Sequence, residues 1–284
     1  EVDTGKMTIV APTFRPDIEA EADIAEEIAR FYGYDKIPVT VMSGSATTGK
    51  RSPIQLTRDK ISDILIAQGM SEICTYTFTS PSIYDKLLFP ADSEKRNSVT
   101  ISNPLGEDTS VMRTTTLASM LSALGYNYSH QNVAASLFEI GKIYIPTEKG
   151  KLPDEPEIIT LGMYGNDIDF YDIKGICEVM LSELNVKNVT FEADSENPSY
   201  HPGRCAAVLV DGKKIGTVGE VHPTCAENFE IETRAYATEL CLASVFEAID
   251  NNIKFKPLPK FPAVTRDISM VLPKEILVGQ VEEI

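Results

Sequence analysis

Ala206-Ala207-Val208-Leu209-Val210-Asp211-Gly212-Lys213-Lys214-Ile215-Gly216-Thr217-Val218-Gly219-Glu220-Val221 is the stretch that decides the fold. Two apolar runs flank an Asp-Gly pair, and both residues of such a pair tolerate the positive φ of a tight hairpin turn. The pattern predicts antiparallel strands at 206–210 and 215–221. Working outward, β-rich runs at 72–78, 137–145, 158–164 and 236–242 predict further strands. Helical spacing appears at 171–184, at Leu117, Met120, Leu121 and Leu124, where Gly125 is expected to close the helix, and in a stripe of Ile54, Ile61, Ile64, Leu65 and Gln68. Ser52-Pro53 opens that last helix as an N-cap with proline at N1, and Gly69 closes it. Strands and helices in this order, without alternating βαβ units, define an α+β fold.

Two boundaries divide the chain. Residues 42–51 are small and polar, which reads as a linker. Pro257, Pro259 and Pro262 punctuate a second one, after which 265–272 predicts a new strand. The expected parts are therefore 1–41, the linker 42–51, a core over 52–256, and a segment over 257–284.

The 284 residues carry 42 acids against 26 bases, a net charge of -16, which disfavours broad contact with a phosphate backbone. The five cysteines, at 74, 177, 205, 225 and 241, form no C-x-x-C pair and are odd in number, so a disulfide framework is not expected. A reducing cytoplasm fits. No run approaches 18 apolar residues, so no membrane association is expected. The missing initial methionine and a last helix that looks unfinished read as a piece of a longer protein.

The N-terminal part holds the most chemistry-rich cluster. Asp17 precedes a predicted helix over 22–32, in which Ile24, Ile28 and Phe31 mark the buried face and Gly33 the stop. On that helix Asp23, Glu26 and Glu27 share one face, since each residue advances about 100°. Such a face needs a cation, and two readings stand. Asp17, Asp23, Glu26 and Glu27 hold Mg2+ through oxygen donors, or the face is solvated and Arg30 pairs with Glu26 and Glu27.

Elsewhere the signals are weaker. His130, His201 and His222 are too dispersed for a zinc site or a triad, and no G-x-S-x-G, Walker A or G-x-G-x-x-G pattern occurs. His201-Pro202-Gly203-Arg204 and Gly219-Glu220-Val221-His222-Pro223 are loop-borne site residues or simply turn formers. Arg113 beside Thr114, Thr115 and Thr116 binds an anion near a helix start, or the threonines are ordinary caps.

Several ordered segments resemble the β subunit of bacterial phenylalanine-tRNA ligases. Arg15-Pro16-Asp17, Asp23-Ile24-Ala25-Glu26-Glu27-Ile28-Ala29-Arg30 and Tyr32-Gly33-Tyr34-Asp35-Lys36-Ile37-Pro38 look like the end of that family's B5 domain. Asn103-Pro104-Leu105-Gly106, Ser110-Val111-Met112-Arg113-Thr114, Leu137-Phe138-Glu139-Ile140-Gly141, His201-Pro202-Gly203-Arg204 and Gly219-Glu220-Val221-His222-Pro223 look like its synthetase-like core. Phe261-Pro262-Ala263-Val264-Thr265-Arg266-Asp267-Ile268 looks like the start of its ferredoxin-like anticodon-binding domain.

The resemblance implies a class II synthetase-like antiparallel sheet flanked by helices, with a small N-terminal α/β piece. It implies Mg2+ on Asp17, Asp23, Glu26 and Glu27, an α subunit partner in an (αβ)2 heterotetramer, and tRNA(Phe) bound through the holoenzyme, which couples phenylalanine to tRNA using ATP. No catalytic and no cofactor-binding residue is implied in this chain. The segment before Phe138 and the run 236–246 both lack the arginines with which class II enzymes bind ATP phosphates. The expectation is a pseudo-catalytic scaffold whose helical surface, including 52–69, packs against α. The alternatives are a stand-alone Mg2+-binding interaction module and an independent enzyme with a degenerate class II site.

Overall fold

The computed structural model describes every residue except 1, 4, 5, 47, 149, 253, 256, 277 and 283. The parts of the expected segments that fall on those positions, such as residue 47 of the 42–51 linker and the core end at 256, lie outside the described residues. The chain divides into two compact units, Glu1–Lys50 and Arg51–Ile284.

In the first unit, β1 (Val2–Asp3) and β2 (Lys6–Met7) pair antiparallel, and α1 spans Glu21–Tyr32. The alternation of residues 7–11 suits a strand, but β2 does not extend past Met7. Gly33 ends α1 at φ 106°, a conformation that a side chain disfavours. The expected buried face fails. Ile28 is 61% exposed and Phe31 81%, and Ile24 is half-buried. Helical periodicity marks a face that seeks a partner surface, and within this unit α1 has no fully buried residue.

The second unit is built on a seven-stranded sheet. Its elements run α2 (Pro53–Ala67), β3 (Ser71–Glu72), β4 (Phe78–Thr79), α3 (Ile83–Lys86), β5 (Val111–Met112), α4 (Leu117–Ser129), β6 (Ala135–Lys142) and β7 (Glu157–Tyr164). They continue through α5 (Phe170–Glu183), β8 (Val189–Ala193), β9 (Tyr200–Val210), β10 (Lys213–Val221), α6 (Pro223–Asn228), β11 (Ala235–Cys241), α7 (Leu242–Glu247) and α8 (Val278–Glu282). The sheet order is β3-β6-β7-β11-β10-β9-β8, and every neighbouring pair is antiparallel except β3 and β6. The sheet is therefore mixed, and the fold is α+β.

The deciding hairpin forms between β9 and β10, with Asp211 at φ 50° and Gly212 at φ 75°. β9 starts earlier than expected, so His201-Pro-Gly-Arg204 is strand rather than loop. The run expected as one strand over 72–78 splits into β3 and β4, because Thr75 between them turns to Glu139. No strand forms over 265–272. Ile268 and Val271 there are exposed, and no sheet edge among the described residues pairs with them.

Helices cover both faces of the sheet. On one, Ile61 and Leu65 of α2 join Ile173, Cys177 and Met180 of α5 and Leu242 and Val245 of α7 over Phe138, Leu161 and Val218. On the other, Leu117, Met120, Leu121 and Leu124 of α4 join Cys225 and Ala226 of α6 over Leu137, Tyr164, Tyr200 and Ala237. Each such aliphatic side chain, taken fully out of water, contributes about 1.5–3 kcal/mol. Gly125 does not close α4 but sits inside it. A Cβ there would collide with the Phe229 carbonyl oxygen, so the position requires glycine to let the two segments meet.

Candidate functional site

The residues that combine buried charge with position lie on the α4-covered face of the sheet. Strand register places Glu139 of β6 opposite Thr160 of β7, Thr160 opposite Glu239 of β11, and Glu239 opposite Thr217 of β10. Side chains of directly opposed residues point to the same face, so Glu139, Thr160, Glu239 and Thr217 form one polar row. Two carboxylates in a hydrophobic sheet face are costly unless each finds a cation or several donors.

Both find them inside the chain. Arg113, which follows β5 and is 2% exposed, donates to Glu139 from Nη2 at 3.1 Å and from Nη1 at 3.3 Å. It also donates through Nε to the Lys142 carbonyl at 2.8 Å and through Nη1 to the Thr75 hydroxyl at 2.7 Å. Glu239 meets the first turn of α4. Its Oε1 accepts the Thr115 hydroxyl at 2.6 Å, the Thr116 amide and hydroxyl at 3.0 Å, and the Leu117 amide at 3.0 Å. Its Oε2 faces the Lys95 ammonium at 3.9 Å. Burial pushes the Glu239 carboxyl up, but Lys95, the two threonine hydroxyls and the Leu117 amide outweigh it and hold it below its ordinary value. A carboxylate at a helix N-terminus also gains from the helix dipole.

The anion expected beside Arg113 and the three threonines is thus supplied twice by the chain itself. Glu139 takes the arginine and Glu239 takes the threonines. Sequence reasoning did not single out Glu239 or Thr160. The available signal was a lone glutamate inside an apolar strand run, as in Tyr236-Ala-Thr-Glu-Leu-Cys241, which demands a partner but does not name it.

His201 and His222 direct their Nδ1 atoms to backbone amides two residues ahead. His222 Nδ1 accepts the Thr224 amide at 3.2 Å as the N-cap of α6, and His201 Nδ1 accepts the Gly203 amide at 3.0 Å. Arg204 pairs with buried Glu220, Nη2 to Oε1 at 2.7 Å. Burial pushes the Cys177, Cys205 and Cys225 thiols up to about 12, which removes them as nucleophiles at neutral pH.

In the first unit the four expected metal ligands are placed differently from one another. Arg15 Nη2 lies 2.6 Å from Asp17 Oδ2 and 2.7 Å from Glu27 Oε1. Arg30 holds the other Glu27 oxygen at 2.6 Å. Asp23 turns away to accept the Glu19 and Ala20 amides at 2.8 and 2.7 Å, capping α1. Side-chain bonds from Arg15 hold the Asp17 and Glu27 carboxyls below their ordinary values, and the Ala20 and Glu19 amides do the same for Asp23. Among the described residues no group of three or more His, Cys, Asp or Glu side chains is arranged to hold a metal. The donors are hard oxygens that suit Mg2+, but a guanidinium takes the shared position of two of them. In this arrangement the four do not fit the ion.

The model of the phenylalanyl tRNA synthetase beta chain CLM domain matches residues 37–242, and that of the tRNA synthetase B5 domain matches residues 1–34. The phenylalanine–tRNA ligase beta subunit of Clostridium acetobutylicum is 50% identical over 286 residues, covering 100% of this chain and 36% of that one. That of Clostridium tetani is 44% identical over 285 residues, with 100% and 36% covered. The chain spans about a third of the length of these curated relatives. Among solved structures, pyrrolysyl-tRNA synthetase from Desulfitobacterium hafniense superposes with a TM-score of 0.57 at 13% identity, covering 70% of this chain and 74% of that one. That likeness concerns the fold.

Proposed function

The chain belongs to the phenylalanyl-tRNA synthetase beta chain family, and from that premise we propose that it is a catalytically silent part of a phenylalanine-tRNA ligase, scaffolding the α subunit while the ligase attaches phenylalanine to tRNA(Phe) with ATP. The observation that carries the silent role is the polar row. Adenylate formation needs cations free to neutralise phosphates, and here Arg113 is locked to Glu139 while Lys95 faces Glu239. The proposed parts are a B5-like end over 1–41, a linker over 42–51, a pseudo-catalytic core over 52–256, and a linker with the start of an anticodon-binding domain over 257–284. The proposed assembly is an (αβ)2 heterotetramer in the cytoplasm. Among the described residues no helix is long and apolar enough to cross a membrane.

The surface proposed for α is the outer side of α2. Its inner stripe is already spent, since Ile61 and Leu65 are fully buried in the chain's own core and Ile54 and Ile64 pack against it. Leu56 and Ile66 remain 56% and 54% exposed, and spacing aligns them with Asp59 and Asp63. Mg2+ enters the proposal with ATP in the whole ligase. On Asp17, Asp23, Glu26 and Glu27 it enters only in exchange for Arg15, with Asp23 releasing the α1 amides.

The test is co-expression with the α subunit and full-length β, followed by pull-down and ATP–pyrophosphate exchange. The expected result is no exchange by this chain alone, and α capture that Leu56→Asp with Ile66→Asp weakens at least tenfold without lowering Tm. Exchange by the purified chain, or capture by α unchanged in the variant, overturns the respective part.

A further inference from the structure

On the same face as the polar row, one buried hydroxyl has no partner. Tyr200, the first residue of β9, is 2% exposed, and its hydroxyl is buried with no hydrogen-bond partner among the described residues. Leaving a buried hydroxyl unpaired is unfavourable, and native interiors pair such groups or bridge them with water. The ring direction follows from the register. Tyr200 lies against Gly219, where a Cβ would come within 2.9 Å of the ring, and Gly219 stands opposite Ala237. Ala237 and Glu239 are two residues apart on β11, so the tyrosine ring and the Glu239 carboxylate share the α4-covered face. Glu239 is also the charged group that, after burial itself, most raises the Tyr200 hydroxyl above its ordinary value.

The carboxylate is lopsided in the same direction. Oε1 accepts four donors, whereas Oε2 faces only the Lys95 ammonium among the described residues, at 3.9 Å and beyond hydrogen-bond length. Polar groups held apart at that distance are commonly bridged by water. Lys95 is held at both ends, its Nζ 5.2 Å from the centre of the Phe89 ring and its backbone carbonyl accepting the Thr114 hydroxyl.

We propose that one ordered water binds between Tyr200, Glu239 and Lys95, accepting from the Tyr200 hydroxyl and the Lys95 ammonium and donating to Glu239 Oε2. Three partners is the usual complement of an internal water. The water ties three segments far apart in sequence to the start of α4: the loop carrying Lys95, strand β9 and strand β11. Thr238, whose hydroxyl is also buried and unpartnered, faces the opposite side of the sheet and takes no part.

A double-mutant cycle on the whole chain tests it. Tyr200→Phe keeps the ring and removes the hydroxyl, and Lys95→Met keeps an unbranched side chain and removes the ammonium donor, together with its contact to the Phe89 ring. Each single variant is expected to lower Tm by about 2–4 °C, and the double variant by clearly less than the sum, because both lose the same water. A Tm unchanged or raised in Tyr200→Phe means a dry, unpaired hydroxyl and overturns the proposal. Strict additivity overturns it as well, since the two groups then share nothing.

Discussion

Arg15 decides what the N-terminal carboxylates do. Its guanidinium bridges Asp17 and Glu27, so those two acids already share a cation, and a divalent ion must displace it. Each of these side chains is at least partly exposed, and such pairs are individually weak, so the competition is open to titration. In the wild-type chain, millimolar MgCl2 is expected to leave the backbone amide NMR shifts of Asp17, Asp23, Glu26 and Glu27 unchanged. In Arg15→Met the same titration is expected to move them saturably. Saturable shifts in the wild type would show that Arg15 does not stand in the way. The pair Arg113–Glu139 is a different case, with both side chains almost fully buried. Removing one partner strands the other, so Glu139→Leu or Arg113→Met should cost about 3–5 kcal/mol in urea unfolding, with part of that recovered in the double variant. The sequence offered Arg113 as an anion binder but not its anion, because Arg113 and Glu139 are separated by 26 residues and meet only through the sheet. Glu239 was still less legible, since it answers Thr115 from a strand 124 residues later.

At the scale of elements, local chemistry was a good guide and packing was not. The Ser52 cap was legible because its signal is complete within four residues: the Ser52 hydroxyl accepts the Gln55 amide, Gln55 returns the bond, and Pro53 follows. The Asp211-Gly212 turn was legible for the same reason. Gly125 misled because a helix-stopping residue and a helix-crossing residue look alike in sequence. The difference predicts opposite outcomes for one substitution. Gly125→Ala drives a methyl into the Phe229 carbonyl and is expected to destabilise by about 1–3 kcal/mol despite better helix propensity. Gly175→Ala, inside α5, meets no heavy atom within 4 Å and is expected to stabilise by about 0.5–1 kcal/mol. Urea midpoints of both variants check the pair, and equal signs would refute the packing account. The missed ends have a common cause as well. The 265–272 run has strand composition but no sheet edge among the described residues to accept it, and composition alone does not supply one.

For the molecule as a whole, a net charge of -16 poses the question of what acid does to stability. Two effects oppose each other. Protonating carboxylates relieves self-repulsion, which favours the folded state, but it also removes charges that the fold has already paired. The paired set includes Asp17, Asp23 and Glu27 in the first unit and Asp194 and Glu239 in the second, all with carboxyls held below their ordinary values. A depressed folded-state value means the unfolded chain takes up protons first. The stabilisation is complete above the ordinary values of 3.8 for aspartate and 4.5 for glutamate, and it is lost as pH falls through the lower folded values. With only three histidines, little titrates between pH 8 and 5, so repulsion barely changes there. Tm is therefore expected to stay flat from pH 8 to 5 and to fall below about pH 4.5, the ordinary glutamate value. Glu239→Gln should lower the plateau and shallow the acid limb, because the charge that strengthens its bonds to the start of α4 and faces Lys95 is present only when the carboxylate is ionised. A Tm that climbs as pH drops from 5 to 4 would mean that relief of repulsion outweighs the paired carboxylates, and that the acidic surface rather than the buried row governs this fold's response to acid.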